Sequence, residues 1–391
     1  MYGVALEGGG IRGSYHLGAV KAIKECGIKV GAYVGTSIGS FNAAVIAQGD
    51  FERLYNKWYN ASSTMGFNVE EKEVEKLNKK KLDISSIKYW GKFLKDSISN
   101  KGMDTSKLKE LYDEMIDEKK LRKSKIDYGL VTVSLSDKKP IYLFKDDIPV
   151  GLVSSYVLAS SNLPVFKSGK ILDDNKIYID GGFYDNCPST LLKKKGYKDI
   201  IEVRTHAIGR YKKINTKNLN IISIDASKDL GGILFSDNEV VRNNMKMGYF
   251  DTIRVLKGYI GKKFYVIPTE NEKVFNMLAN LNDAKIGKII KDIDIKGINN
   301  LEPKKILFDK VLPLIESKLK DKDTSTYQKL IVSMIEYITN DEIKIYKLYT
   351  FEELLAEVKK KIPKLIKRES ETLIKNNVNL LILHLLKNIE I

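Results

Sequence analysis

Short apolar runs alternate with amphipathic stretches along the first part of the chain. Residues 2–6 form an apolar run that is too short for a helix, so they predict a buried strand. Apolar positions at helical spacing follow in residues 13–25, and residues 29–34 predict a second strand. The small and apolar residues 40–47 then predict a helix packed closely against a sheet. This order of strand, helix, strand and helix is typical of a parallel α/β fold.

Further apolar runs extend this pattern as far as Pro268. They predict strands at residues 128–135, 141–144, 177–179, 199–203, 220–224 and 264–267, and helices at residues 150–160 and 238–257. We therefore predict an α/β domain over residues 1–270.

A segment rich in Lys, Glu and Asp interrupts this domain at residues 68–125. Its apolar residues recur at helical spacing, as in Leu108, Leu111, Tyr112 and Met115, so we predict a helical insertion. Two roles are open for it, a lid over a cleft or a solvated appendage. Three aromatic residues next to lysines favour contact with a lipid surface, although a buried core explains them equally well: Tyr89, Trp90 and Phe93, beside Lys88, Lys92 and Lys95.

The last part of the chain has a different character, with amphipathic helical patterns and few strand signals. Thr350 is followed three residues later by Glu353 and then by apolar residues, which predicts a capping box at the start of a helix. We therefore predict a mainly helical C-terminal extension over residues 271–391.

The net charge favours an anionic partner. The 391 residues include 66 Lys and Arg against 50 Asp and Glu, a formal net charge of +16, and most of the excess falls in residues 1–270. Nucleic acid, a membrane surface and a phosphorylated substrate are all compatible with this charge. The sequence contains no helix-turn-helix, zinc-finger or aromatic RNA-binding pattern, so we expect an anionic membrane surface rather than nucleic acid.

Cysteine usage and the chain ends bear on the compartment. Cys26 and Cys187 are too few for a disulfide framework. The N-terminus lacks the basic and apolar regions of a signal peptide, and the apolar run at residues 380–386 is far shorter than a spanning helix. We expect a cytoplasmic protein, or one that is peripheral at the inner membrane face. No His, Asp and Glu cluster has metal-ligand spacing, so we expect no metal and no cofactor.

A glycine-rich loop follows the first strand and admits two interpretations. Gly8, Gly10 and Gly13 match the G-x-G-x-x-G fingerprint of dinucleotide-binding domains. That fingerprint also requires an acidic residue at the end of the second strand, and here this strand ends in Ala32-Tyr33-Val34. In the second interpretation, the backbone N–H groups of Gly8, Gly9 and Gly10 point at a developing oxyanion.

The second strand leads into Gly35-Thr36-Ser37-Ile38-Gly39, which has the G-x-S-x-G pattern of a nucleophile elbow. Gly35 and Gly39 would permit the sharp turn between strand and helix that exposes the serine hydroxyl. The isolated pentapeptide is a weak signal. A strand before it and a helix of small residues after it strengthen the prediction, and Ser37 is the candidate nucleophile.

A serine nucleophile needs a base, and two residues are candidates. His206 would reproduce, with Ser37 and Asp180, the chain order of the Ser-Asp-His triad in α/β-hydrolases. The more distinctive site is Asp180-Gly181-Gly182, where a strand ends in a carboxylate and two glycines allow another loop to approach closely. The same tripeptide is also typical of a plain turn. His16 and His384 lie in helical patterns, where a structural role is the default.

These motifs together resemble those of the patatin-like phospholipases. The family carries G-G-G-x-R/K-G, G-x-S-x-G and D-G-G/A in this order, which correspond here to residues 8–13, 35–39 and 180–182. Residues 159–166 also resemble its A-S-x-x-x-P-x-F segment, with Asn162 where a small residue is usual. Glu7 before the glycines is similar to a bacterial branch of the family. The resemblance covers residues 1–270.

The resemblance implies a three-layer fold in which helices flank a mostly parallel sheet, and a phospholipase A or lysophospholipase-like activity on lipid esters. It implies a Ser-Asp dyad, with Ser37 as the nucleophile and Asp180 as the base. It also implies an oxyanion hole and its supporting residues: Gly8, Gly9 and Gly10 with Arg12 behind them, and the motif glycines Gly13, Gly35, Gly39, Gly181 and Gly182. A carboxylate of pKa ~4 is a poor base for a hydroxyl, so the hypothesis also requires a closed, apolar cleft.

Overall fold

The computed structural model describes residues 1–61, 103–166, 171–234, 237–290, 301–319, 324–340, 342–370 and 378–390. Two compact units divide the chain, Met1–Val255 and Leu256–Ile391. The segment predicted as an insertion is described from residue 103 onward, and its aromatic and lysine-rich part, residues 88–95, lies outside the described residues. Among the helices of the described ranges, none is long and apolar enough to cross a bilayer.

The first unit is built on a seven-stranded sheet. Its strands are β1 (Tyr2–Leu6), β2 (Val30–Thr36), β3 (Asp127–Ser134), β4 (Lys139–Phe144), β5 (Tyr178–Asp180), β6 (Asp199–Arg204) and β7 (Asn220–Asp225). The order across the sheet is β4, β3, β2, β1, β6, β7, and β5 also pairs with β3. From β3 to β7 these neighbours are parallel, whereas β4 and β5 run antiparallel to β3. The predicted mostly parallel sheet is confirmed.

Helices flank this sheet, as predicted. They are α1 (Ser14–Glu25), α2 (Ile38–Ala47), α3 (Phe51–Tyr59), α4 (Ser106–Met115), α5 (Glu118–Lys123), α6 (Val153–Ser160), α7 (Ser189–Lys195) and α8 (Asn238–Lys257), with 3-10 turns at Gly10–Gly13, Lys145–Asp147 and Gly181–Phe183. Helix α2 is buried along its whole length and contacts β1, β2 and β3. Helix α7 packs Leu191 and Leu192 into a cluster with Ala5, Val34 and Val131 of the sheet.

Two strands end head to head on one side of β3. Strand β2 runs parallel to β3, and its last pair joins Thr36 to Val131. Strand β5 runs antiparallel to β3, and its last pair joins Asp180 to Thr132. Because β4 occupies the opposite side of β3 along this stretch, β2 and β5 share one edge and point towards each other. The C-terminal ends of these two strands therefore meet, although they are far apart in the sequence.

The second unit is mainly helical. Its elements are β8 (Tyr265–Ile267), α9 (Asn271–Ala279), α10 (Asp283–Ile290), α11 (Pro303–Ile306), a π-helical turn (Leu307–Val311), α12 (Leu312–Leu319), α13 (Tyr327–Ile338), β9 (Leu348–Thr350), α14 (Phe351–Ser370) and α15 (Val378–Asn388). Its buried apolar side chains form a core of their own, to which Phe264, Ile331, Leu354 and Leu383 belong.

Two predictions for this part of the chain have clear outcomes. The capping box is confirmed, because the N–H of Glu353 donates to Thr350 Oγ1 and the N–H of Thr350 donates to Glu353 Oε2, both at 3.1 Å. The strand predicted at residues 264–267 forms, but it pairs with β9 in a separate two-stranded sheet and not with the strands of the first unit. An apolar run predicts a strand but does not identify the partner strand, because the pairing depends on residues far away in the sequence.

Candidate active site

Ser37 occupies a strained turn between β2 and α2. Its backbone has φ 54° and ψ −131°, where φ lies in a range that residues other than glycine rarely adopt. The flanking glycines make the turn sterically feasible. A Cβ on Gly35 would lie 2.2 Å from the backbone of Gly39, and a Cβ on Gly39 would lie 2.3 Å from the carbonyl oxygen of Leu6. This is the geometry expected of a nucleophile elbow.

Hydrogen bonds from two other serines hold the elbow in place. The N–H of Ser37 donates to Ser160 Oγ (2.9 Å), and the Ser160 hydroxyl donates to the carbonyl oxygen of Val131 (2.7 Å). The carbonyl oxygen of Ser37 accepts from the N–H and the hydroxyl of Ser40, at 2.8 and 2.6 Å. Ser160 therefore ties the elbow to β3, a role that sequence reasoning missed although the residue lies in a family-like segment.

Ser37 and Asp180 line the same cavity. The Ser37 hydroxyl is close enough to lower the pKa of the Asp180 carboxyl as a hydrogen-bonding group, and the N–H of Gly182 donates a hydrogen bond to Asp180 Oδ1 at 2.7 Å. Asp180 is 4% exposed. Burial raises the pKa of its carboxyl from the ordinary 3.8 to about 6, against the opposing effect of these two groups. A carboxylate with this pKa is a stronger base than an exposed one.

Backbone contacts position Asp180. Its N–H donates to the carbonyl oxygen of Asn162 (2.8 Å), and Asn162 Nδ2 donates to the carbonyl oxygen of Tyr178 (2.7 Å). Gly181 then packs against β3, since a Cβ there would lie 2.2 Å from the carbonyl oxygen of Val131. Asn162, the departure from the family-like segment, thus anchors the strand that presents the carboxylate.

The glycine loop offers two N–H groups to a ligand rather than the predicted three. The N–H of Gly8 donates to the carbonyl oxygen of Asn186 at 2.9 Å, so we correct the prediction that it belongs to an oxyanion hole. Gly9 and Gly10 line the same cavity as Ser37, and their N–H groups have no acceptor within the described ranges. Gly10 has φ 55°, and a Cβ there would lie 2.0 Å from the carbonyl oxygen of Ile233.

Arg12 stabilises the loops behind the glycines. It is not among the described residues that line the cavity. Its Nε donates to the carbonyl oxygen of Gly231 (2.8 Å), its Nη1 donates to that of His206 (3.1 Å), and its Nη2 pairs with Asp229 Oδ1 at 3.3 Å. The buried Glu7 carboxylate holds the same segment by accepting the N–H of His206 at 2.9 Å. Arg12 therefore supports the loop from outside and is no oxyanion donor.

No histidine belongs to the cavity lining in the described part of the chain. The side chain of His206 is 52% exposed, and its Nε2 pairs with Asp225 Oδ1 at 2.9 Å. His16 is fully buried beside Asn42, and burial lowers the pKa of its imidazole to about 3, which keeps the ring neutral. His384 belongs to the second unit. The structure therefore brings Asp180, and not His206, to Ser37.

A cavity of about 600 Å³ surrounds this pair, within the usual range for ligand sites. Its lining is mostly apolar. Helix α4 contributes Leu108, Leu111 and Tyr112, so the described end of the predicted insertion forms part of the wall. Other apolar lining residues are Trp58, Leu163, Phe166 and Ile233. The apolar surroundings that the dyad hypothesis requires for Asp180 are present.

Comparison with known proteins adds independent findings. Residues 4–193 match a family model described as patatin-like phospholipase. Lysophospholipase nte1 of Aspergillus fumigatus is 29% identical over 209 residues, which cover 53% of this chain and 12% of that protein. Patatin-like phospholipase domain-containing protein 6 of Homo sapiens is 26% identical over 203 residues, which cover 51% of this chain and 13% of that protein. This chain thus aligns with about an eighth of the length of these relatives.

Among solved structures, VipD from Legionella pneumophila aligns over 99% of this chain and 90% of its own, at 15% identity and a TM-score of 0.42. The family match covers the candidate site, because residues 4–193 contain the glycine loop, the elbow and Asp180. Through these residues, the segment 4–193 of this chain is identified as a patatin-like phospholipase domain.

Proposed function

We propose that this chain hydrolyses acyl esters of lipids through a catalytic dyad of Ser37 and Asp180. The observation that carries the proposal is the placement of the Ser37 hydroxyl beside the buried Asp180 carboxylate, in the wall of one mostly apolar cavity. The family and the lysophospholipase name of a relative support a lipid ester as the substrate class.

The reaction begins when Ser37 Oγ attacks the ester carbonyl carbon and its proton passes to Asp180. The carbonyl oxygen becomes an oxyanion, and the N–H groups of Gly9 and Gly10 donate hydrogen bonds to it. Collapse of this intermediate expels the alcohol, which takes the proton from Asp180, and leaves the acyl group on Ser37. A water molecule then attacks the acyl carbonyl and gives its proton to Asp180. The bond between the acyl carbon and Ser37 Oγ then breaks, Asp180 returns the proton to Ser37 Oγ, and the fatty acid leaves.

Desolvation supplies part of the basicity that a histidine supplies in a triad. The pKa of an exposed aspartate, ~3.9, is about 2.6 units below that of histidine, ~6.5, so an exposed aspartate accepts a serine proton poorly. Burial raises the pKa of Asp180 to about 6, so the group is ionised at pH 7 to 8 and still has a raised affinity for a proton. The strained backbone of Ser37 is consistent with the same role, because functional residues often occupy such turns.

A fluorophosphonate probe combined with an ester assay tests the proposal. We expect covalent labelling of the purified chain at Ser37 and hydrolysis of a medium-chain acyl ester, with heat-denatured protein as the control. Absence of both labelling and hydrolysis would contradict the proposal. Melting temperature measured with and without NAD(P) tests the alternative, a nucleotide-binding protein that uses the glycine loop. A clear increase in melting temperature would favour that alternative.

The pH dependence of kcat/KM should report the titration of Asp180. Only the ionised carboxylate can take the serine proton, so activity should fall as the pH decreases through about 6 and stay level at higher pH. Rates on an uncharged acyl ester between pH 4.5 and 8.5 measure this profile. An apparent pKa near the ordinary value of 3.8 would contradict a buried carboxylate base.

Replacement of His206 tests the alternative Ser-Asp-His triad. His206 has φ 49°, which asparagine tolerates better than alanine, so His206→Asn is the cleaner variant. We expect kcat to stay within about twofold of the wild-type value, because the imidazole pairs with Asp225 and does not line the cavity. A loss of ~10²-fold or more in the same ester assay, the range typical of a lost general base, would restore the triad.

A further inference from the structure

The opening of the cavity combines exposed apolar side chains with one cation. Phe183 and Ile208 line the cavity and are 51% and 49% exposed. Arg210 also lines it and is exposed. Of the described lining residues, Arg210 is the only one with a basic side chain, and Asp180 is the only one with an acidic side chain. Since Asp180 is buried, the accessible end of the cavity carries a positive charge.

Main-chain hydrogen bonds place Arg210 next to the segment that carries the candidate base. Its N–H donates to the carbonyl oxygen of Gly182 at 2.7 Å, and its carbonyl oxygen accepts the N–H of Asn186 at 2.8 Å. The guanidinium carbon lies 5.4 Å from the ring centroid of Tyr184, close enough for a cation–π interaction. The backbone of Arg210 is therefore fixed relative to the site, and its side chain lies against the ring of Tyr184.

Lys212 adds a second cation over the same ring. Its Nζ lies 4.9 Å from the Tyr184 centroid, so the two cationic groups are no more than about 10 Å apart. Neither Arg210 nor Lys212 forms a salt bridge with any carboxylate of the described ranges. Asp185 is the acidic neighbour of Lys212, and its buried carboxylate already accepts a hydrogen bond from the Tyr142 hydroxyl at 3.1 Å.

We propose that Arg210, assisted by Lys212, forms a phosphate-binding subsite at the opening of the cavity, and that the protein prefers acyl esters with a phosphate near the ester. This inference rests on the proposed function and adds a specificity to it. The planar guanidinium can donate two parallel hydrogen bonds to a phosphate, while Lys212 supplies a point charge. The apolar walls take the acyl chain, and Phe183 and Ile208 contact the part of the chain nearest the ester.

Two short-chain substrates that differ only in the phosphate test this preference: a hexanoyl ester of glycerol 3-phosphate and a hexanoyl ester of glycerol. Both are used as monomers, so binding to a lipid surface does not contribute. In Arg210→Gln we expect kcat/KM for the phosphate ester to fall about tenfold, mainly through KM. The value for the neutral ester should stay within about twofold. Lys213→Gln is the matched control, an exposed lysine of the same loop, and should change neither substrate.

Further variants and ligands separate the remaining outcomes. Arg210→Lys should recover part of the preference, since it restores the charge without the bidentate geometry. An equal fall for both esters would show a structural role, and a phosphate preference that survives in Arg210→Gln would overturn the subsite. An effect seen only with vesicle substrates would assign these cations to a membrane surface instead. Competition by inorganic phosphate as strong as that by the phosphate ester would indicate a site for free phosphate.

Failure of the proposed function has a different signature, because the wild-type protein would then hydrolyse neither ester. In that case calorimetric binding of the phosphate ester to Ser37→Ala still tests the subsite. Addition of Arg210→Gln to this variant should weaken binding about tenfold. Equal binding to both proteins would overturn the inference independently of catalysis.

Discussion

Replacement of Ser37 by alanine is expected to reduce kcat on an acyl ester by at least ~10⁴-fold and to abolish fluorophosphonate labelling. The substitution removes the hydroxyl oxygen that attacks the ester in the proposed mechanism. Alanine has the same Cβ as serine, so the strained backbone and its hydrogen bonds to Ser160 and Ser40 should persist. Melting temperature should therefore change little.

Ser106→Ala is the matched control for this experiment, since Ser106 is an exposed serine at the start of α4. It should keep wild-type kcat and wild-type labelling. Retention of more than about 1% of the activity in Ser37→Ala, with intact folding, would show that the nucleophile lies elsewhere.

Replacement of Asp180 by asparagine should lower kcat by about 10³-fold, within the range for loss of a general base. Asparagine has nearly the same shape, and its Oδ1 can still accept the N–H of Gly182, which now bonds to Asp180 Oδ1. The amide cannot take a proton from Ser37 at neutral pH. The loss should fall on kcat in the ester assay, and the pH dependence near 6 should disappear with it.

The same substitution should raise the stability of the folded protein at pH 8. The folded pKa of Asp180, about 6, is above the ordinary 3.8, so the folded state binds this proton more tightly than the unfolded state does. Stability from this group is complete below pH ~4 and is lost as the pH rises through 6. Two pKa units correspond to ~3 kcal/mol as an upper figure. Asparagine carries no charge to desolvate, so melting temperature at pH 8 should increase.

Calorimetry at pH 8 and pH 4 measures this effect, and most of the gain should vanish at the lower pH, where Asp180 is protonated in the folded state and about half protonated in the unfolded state. Asp146→Asn is the matched control, because Asp146 is an exposed aspartate of the same unit. It should alter neither kcat nor melting temperature by a comparable amount. A lower melting temperature for Asp180→Asn at pH 8 would contradict a desolvated carboxylate.

The elements of the first unit were largely predictable because their signals are local. The helix predicted at residues 238–257 forms as Asn238–Lys257, and every strand predicted for the main sheet up to residue 224 is present within a few residues. Apolar runs and helical spacing identify such elements without knowledge of their neighbours. Pairing is not local, which explains why the apolar run near residue 265 predicts a strand but not its pairing with β9. The anionic membrane surface, the cytoplasmic location and the boundary at residue 270 stay predictions.

In the candidate site too, local features were predictable from the sequence and long-range contacts were not. Glycine patterns identified the elbow, because a Cβ on Gly35 would lie 2.2 Å from the backbone of Gly39 within the same turn. Sequence reasoning assigned three N–H donors to the glycine loop and missed that Gly8 bonds to Asn186. No local pattern reveals that bond, since its acceptor is nearly 180 residues away.

By itself, the sequence determined the α/β elements, the elbow at Ser37 and the distinctive carboxylate at Asp180, because each depends on steric and hydrophobic properties of adjacent residues. Only the tertiary structure decided which base reaches Ser37. Strands β2 and β5 end against neighbouring residues of β3, Val131 and Thr132, and this brings Asp180 into the site while His206 pairs with Asp225. Burial then raises the pKa of Asp180, an effect of the folded surroundings that no sequence motif encodes.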